Sequence, residues 1–75
     1  MNVSLEKLKE MRPGQVKPFL CDTAKAMFSG CSLVTFLKRT GLPEGIADYE
    51  TQKDFGDNIL LVRAMGEGDT PILNR

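Results

Sequence analysis

The run Ile59-Leu60-Leu61-Val62-Arg63-Ala64-Met65 constrains the fold more than any other feature of the chain. It is rich in strand formers and follows Phe55-Gly56-Asp57-Asn58. Before that turn, Tyr49, Thr51, Lys53 and Phe55 alternate with Asp48, Glu50, Gln52 and Asp54. The pattern predicts a β-hairpin over 48–65. With Gly56-Asp57 as a two-residue turn, glycine first, Lys53 faces Leu60, Thr51 faces Val62 and Glu50 faces Arg63. One face then carries Tyr49, Thr51, Leu60, Val62 and Ala64, with Phe55 at its edge. The other carries Ile59 and Leu61 beside Glu50, Gln52 and Asp54. A strand apolar on both faces is normally covered on both. In a chain of 75 residues the second cover is expected to be the first helix or another subunit.

The rest of the chain supplies two helices and one more strand. Leu5, Leu8 and Met11 recur at helical spacing behind Ser4, a good N-cap, and predict a short helix over 4–12. Pro13 disfavours helical geometry at Arg12, and Pro13-Gly14 turns the chain. Residues 15–20 read as an edge strand, because Pro18 cannot donate to a ladder. Residues 22–40 read as a long helix capped by Asp22 or Thr23, with the apolar stripe Ala24, Met27, Phe28, Cys31 and Val34. Lys38 and Arg39 suit its C-terminal dipole, and Gly41 is placed for a left-handed cap. Gly30 costs about 1 kcal/mol in a helix interior, and a break near Ser29-Gly30 is one way to accommodate it. Phe19, Phe28, Phe36 and Phe55 read as core. The expected fold class is α+β, in the order helix, strand, helix, hairpin, with the long helix on a small, mostly antiparallel sheet. Met27, Phe28, Cys31, Val34, Leu60 and Val62 form its packing contact. Residues 1–65 make a single domain. Residues 66–75 are expected to be a flexible tail or, alternatively, a short docking segment around Pro71-Ile72-Leu73.

Composition closes off most chemistry. There is no His and no Trp, which removes Ser-His and Cys-His catalysis and every His-ligated metal site. Cys21 and Cys31 are too few for a zinc site, and about ten helical residues between them hold them roughly 15 Å apart, too far for a disulfide. Two reduced thiols in a reducing compartment are expected. Cys21, just before a helix N-terminus, is the one candidate nucleophile and has no histidine base. Asp48, Glu50 and Asp54 share a strand face, and a solvated face is the expected reading. Gly66-Glu67-Gly68-Asp69 lacks the ending of a phosphate-binding loop. The expectation is a protein that is not an enzyme, with no cofactor and no metal. No stretch approaches a membrane span, no signal peptide is read at the N-terminus, and a cytoplasmic location is expected.

Charge is balanced overall but divided along the chain. Residues 1–40 hold seven Lys/Arg against three Asp/Glu, and residues 41–75 hold three against seven. Two binding classes follow. The first is protein–protein contact, with Ile59 and Leu61 as a candidate interface that includes self-association as a homodimer. Glu50, Asp54 and Asp57 would give an acidic rim for specificity. The alternative is nucleic-acid binding by Arg12, Lys17, Lys25, Lys38 and Arg39, with Tyr49 as a stacking platform.

The short helix ending in Met11-Arg12-Pro13-Gly14, the strand, the long helix and the hairpin closing on Asn58-Ile59-Leu60-Leu61-Val62-Arg63 resemble in layout the small accessory proteins of bacteriophages and mobile elements. The resemblance spans roughly residues 4–65. It implies a compact intracellular α+β domain that acts by binding, in a regulatory or inhibitory role, and it brings no functional residue with it.

Overall fold

A computed structural model describes residues 3–73. The chain forms helix α1 (Leu5–Lys9), strand β1 (Val16–Leu20), helix α2 (Ala24–Thr40), and strands β2 (Asp48–Asp54) and β3 (Ile59–Met65). The three strands make one antiparallel sheet in the order β1-β3-β2. This is the α+β layout the sequence predicts, with the most apolar strand in the centre.

The hairpin register is the expected one: Lys53 pairs with Leu60, Thr51 with Val62 and Glu50 with Arg63. Its turn is built differently. Asn58, not Gly56, takes the left-handed conformation, at φ 53°. The Asp54 carboxylate accepts from the amides of Gly56 at 3.0 Å and Asp57 at 3.4 Å. An Asx-type bond thus does the work assigned to a glycine.

β1 is an edge strand for the reason the sequence gives. Gln15 and Cys21 bond to Ala64 and Asn58 of the β3 side. Odd-numbered residues of β1 therefore face β3, and the nitrogen of Pro18 lies on the free edge. A missing donor there opposes pairing with a further strand.

α1 is shorter than predicted, but Ser4 caps it by accepting from the Lys7 amide at 3.3 Å, and Leu8 and Met11 are buried. α2 runs without a break, capped by Thr23, whose hydroxyl accepts from the Ala26 amide at 3.2 Å. Gly41 ends it at φ 140°, a region that favours glycine but not the left-handed helical geometry expected.

The buried stripe of α2 is Met27, Gly30, Val34 and Leu37. It is rotated from the predicted stripe, because Gly30 is packed against the side chains of Val3 and Leu60. A Cβ there would lie 2.6 Å from Val3 Cγ2 and 2.7 Å from Leu60 Cδ2. Gly30 is therefore a packing residue rather than a hinge. The rotation turns Phe28 and Phe36 outward, and each is about half exposed, at 51% and 50%. Of the four phenylalanines expected in the core, only Phe19 is there; Phe55 is 56% exposed at the hairpin tip.

Tyr49, Phe19, Leu8, Met27, Leu37, Leu60 and Val62 are the largest fully buried side chains. The Tyr49 hydroxyl donates to the Leu8 carbonyl at 2.9 Å and ties α1 to the helix side of the sheet. α1 therefore does not cover the opposite face. Burial holds the Tyr49 phenol above its ordinary pKa, as expected where the phenolate would be desolvated.

Gly30→Ala gains about 1 kcal/mol of helix propensity but overpacks Val3 and Leu60 at a cost of about 1–3 kcal/mol. Urea denaturation of this variant is expected to show a lower midpoint with an unchanged m-value. A raised midpoint would mean that both side chains yield freely.

Candidate interaction surfaces

Among the described residues, exposed apolar side chains gather on two surfaces, one on each side of the sheet. The outer side is set by strand alternation. Residues 60, 62 and 64 point toward the helices and are buried, so 59, 61, 63 and 65 point away. Ile59 pairs with Leu20 and Asp54, Leu61 with Pro18 and Gln52, and Arg63 with Val16 and Glu50. The β1 half of this face is an uncharged strip of Val16, Pro18, Leu20, Ile59 and Leu61. Val16 and Leu20 are exposed, and Ile59 and Leu61 are half-buried.

The β2 half is charged and closed. Arg63 Nη1 donates to Glu50 Oε2 at 2.8 Å, and both residues are only 9% exposed. The C-terminal segment lies against this pair. Glu50 Oε2 also accepts from the Ile72 amide at 2.9 Å, and Oε1 accepts from the Leu73 amide at 2.8 Å. Arg63 Nη1 donates to the Thr70 carbonyl at 3.1 Å. Residues 70–73 are thus docked on the sheet through the segment around Pro71-Ile72-Leu73. Burial would raise the Glu50 pKa, but the two amides and the Arg63 guanidinium outweigh it and hold the carboxyl below its ordinary value of 4.5. Glu50 is consequently not part of an open acidic rim. Asp54 and Asp57 are exposed at the hairpin tip, with Asp54 engaged by the turn amides. Asp48 accepts a surface ion pair from Lys38 at 3.3 Å.

The basic residues singled out in the sequence do not gather. Arg12 lies in the loop after α1, and Lys17 sits on β1 with Nζ 5.8 Å from the Phe19 ring centroid. Lys25 and the Lys38-Arg39 pair occupy opposite ends of α2, roughly 20 Å apart along its axis. Tyr49 is 1% exposed and bonded through its hydroxyl, so it offers no stacking face. Cys21 is buried, its thiol 3.6 Å from the Phe19 carbonyl; Cys31 is half-buried, and both thiols are free. Among the described residues no group of three or more His, Cys, Asp or Glu is placed to hold a metal ion.

The second surface lies on the far side of α2. The rings of Phe28 and Phe55 stand 5.8 Å apart at 44°, and Lys53 Nζ lies 5.5 Å from the Phe28 centroid. Phe28 and Phe36 flank a shallow groove of about 510 Å³, with Ser32, Thr35, Cys31 and Arg39 as its other walls. Ser32 donates to the Phe28 carbonyl at 3.2 Å, which folds its hydroxyl back on its own helix. α2 contains Lys25, Lys38 and Arg39 and no Asp or Glu. Sequence reading placed both phenylalanines in the core. The signal available for this surface was an apolar excess over one stripe at Leu33, Phe36 and Leu37, of which Leu37 is core, Leu33 packs against it and Phe36 alone lies on this surface.

No family model matches the chain, and no curated protein or solved structure matches it. No helix among the described residues is long and apolar enough to cross a membrane.

Two outcomes test the Glu50–Arg63 pair. Glu50→Ala removes the nearest carboxylate from a buried guanidinium, which keeps only Asp69 at 3.8 Å and the Thr70 carbonyl, and is expected to cost about 3 kcal/mol in urea unfolding. Because the folded-state pKa of Glu50 is depressed, its stabilisation is complete above 4.5 and is lost as pH falls through the lower folded-state value. Thermal stability below pH 4.5 should therefore fall more steeply in the native chain than in Glu50→Gln, which has no carboxyl to protonate.

Proposed function

We propose that this chain is a non-enzymatic protein-interaction domain that grips an acidic helix on the aromatic face of α2. One observation carries the reading: three of the four phenylalanines stand at least half exposed together, with cations around them. Apolar patches of this kind on a small domain mark contact surfaces, and aromatic residues with Arg are enriched at interface hot spots.

The row Phe28-Ser32-Phe36 follows the i, i+4, i+8 ridge of a helix, large then small then large. Its phenylalanines are about 12 Å apart along the axis, and the notch at Ser32 is shaped to take one side chain of a crossing helix. Lys25, Lys53 and Arg39 surround the row and call for carboxylates on the partner. A second copy packed antiparallel on the same face would set Lys25 against Arg39, like charge against like. A compact domain acting by surface complementarity is also what a resemblance in layout to small phage and mobile-element accessory proteins would imply.

Fluorescence anisotropy tests this directly. The probes are a labelled amphipathic Leu/Glu helical peptide and labelled single- and double-stranded DNA and RNA, at low and moderate salt. The peptide is expected to bind, with Phe36→Ser and Arg39→Ser each weakening it about tenfold or more while the fold is kept. A nucleic acid bound with steep salt dependence in place of the peptide overturns the protein reading.

Self-association is the second reading, favoured by the uncharged strip of Val16, Pro18, Leu20, Ile59 and Leu61. Such a strip is complementary to itself under a two-fold axis. Pro18 directs the contact to the sheet face and away from the edge. Light scattering after size exclusion should give a dimer for the native chain and a folded monomer for Ile59→Lys/Leu61→Lys. A native chain that is monomeric at several hundred micromolar removes this reading.

A further inference from the structure

We propose that Glu50 and Arg63 form a peptide clamp that reads main-chain groups, and that the chain's own C-terminal segment is its resident ligand. This surface lies on the opposite side of the sheet from the aromatic face of α2 and does not depend on it.

Three observations assign the site. First, Glu50 and Arg63 are each nine-tenths buried on a sheet face that neither helix covers. A charged pair so placed needs polar partners from whatever lies over it. Second, the close partners are main-chain groups, and the Asp69 carboxylate stands farther off, 3.8 Å from Arg63 Nη2. Arg63 donates to the carbonyl of Thr70, and the two Glu50 oxygens accept from the successive amides of Ile72 and Leu73. The clamp therefore recognises a carbonyl followed two and three residues later by free N–H groups. Third, the side chains of Pro71 and Ile72 contribute little. Ile72 is 66% exposed and Pro71 is exposed. A groove of about 290 Å³ between Pro71, Met65 and Glu50 lies beside it and extends to Asp48 and to Lys38 of α2.

A site that reads backbone does not distinguish its own tail from another extended segment. The tail holds the site because it is tethered. Gly66 donates to Asp69 Oδ2 at 2.7 Å, and Gly68 takes φ +86°, so the chain turns back onto the sheet directly after β3. Such a short tether gives a local concentration in the millimolar range. The ligand is thus an extended segment without proline at the two donor positions, and the one that fits is residues 70–73 themselves, supplied in exchange by a second copy of this chain.

The test uses the full-length chain with Ile72→Pro and Leu73→Pro, which deletes both donated N–H groups. The probe is a labelled synthetic peptide with the native sequence of residues 68–75. The folded proline variant is expected to bind the peptide, and the native chain to bind it at least tenfold more weakly because its own tail competes. The same peptide with proline at the positions of Ile72 and Leu73 should not bind either chain. Equal binding to both chains, or none to the folded variant, overturns the proposal. If the variant does not fold, the native chain gives the answer. Millimolar peptide should speed hydrogen exchange at its own Ile72 and Leu73 amides, and unchanged exchange rates overturn the clamp.

Discussion

β3 lies between β1 and β2, so both edges of its backbone are paired and both faces of its side chains need cover. Everything else in the molecule follows from meeting that demand with few residues. On one side, Leu60, Val62 and Ala64 are fully buried beneath the helices. The approach is close enough that α2 carries a glycine where it meets Leu60 and Val3. On the other side the described residues form no third layer. It uses an ion pair, Glu50–Arg63, and eight more residues of chain that bring amides to that pair. The apolar remainder of that face, around Leu20, Ile59 and Leu61, is left as a strip.

The position of Gly30 has a consequence at the surface. Because the helix must present its smallest residue to Leu60, its rotation is fixed, and with it the direction of every other side chain. At about 100° per residue, Phe28 and Phe36 lie away from a stripe centred on Met27, Gly30, Val34 and Leu37. The core and the aromatic face are thus two results of one packing decision. Phe55 joins that face because the hairpin register puts odd residues of β2 on the helix side, and its extension past Asp54 reaches Phe28.

The surfaces differ in what they ask of a partner. The α2 face offers aromatic rings and cations, with no acidic residue on the helix itself. The outer sheet face offers an uncharged strip on one half and hydrogen-bonding charges on the other. Division of the chain into a basic and an acidic half therefore does not become two charged lobes. Lys38 meets Asp48, which joins the basic helix end to the acidic strand locally, and Arg63 meets Glu50 within the acidic half itself. What survives as exposed charge is arranged around apolar residues.

The sequence by itself determined the elements, their order and the hairpin register, because these depend on local periodicity, caps and turn spacing. Ser4, Thr23, Pro13 and Pro18 act on their own neighbours and could be read one by one. It also determined that β3 would be apolar on both faces, since alternation is a property of the strand alone. Tertiary structure decided which face of α2 is buried, because that depends on the distance between two elements, and only Gly30 permits the shortest one. It decided that Tyr49 is core and that Glu50 is not a surface acid, because each is satisfied by a group far away in the chain, the Leu8 carbonyl in one case and residues 63 and 70–73 in the other. Periodicity carries no information about such distant partners, and the candidate sites are made of them.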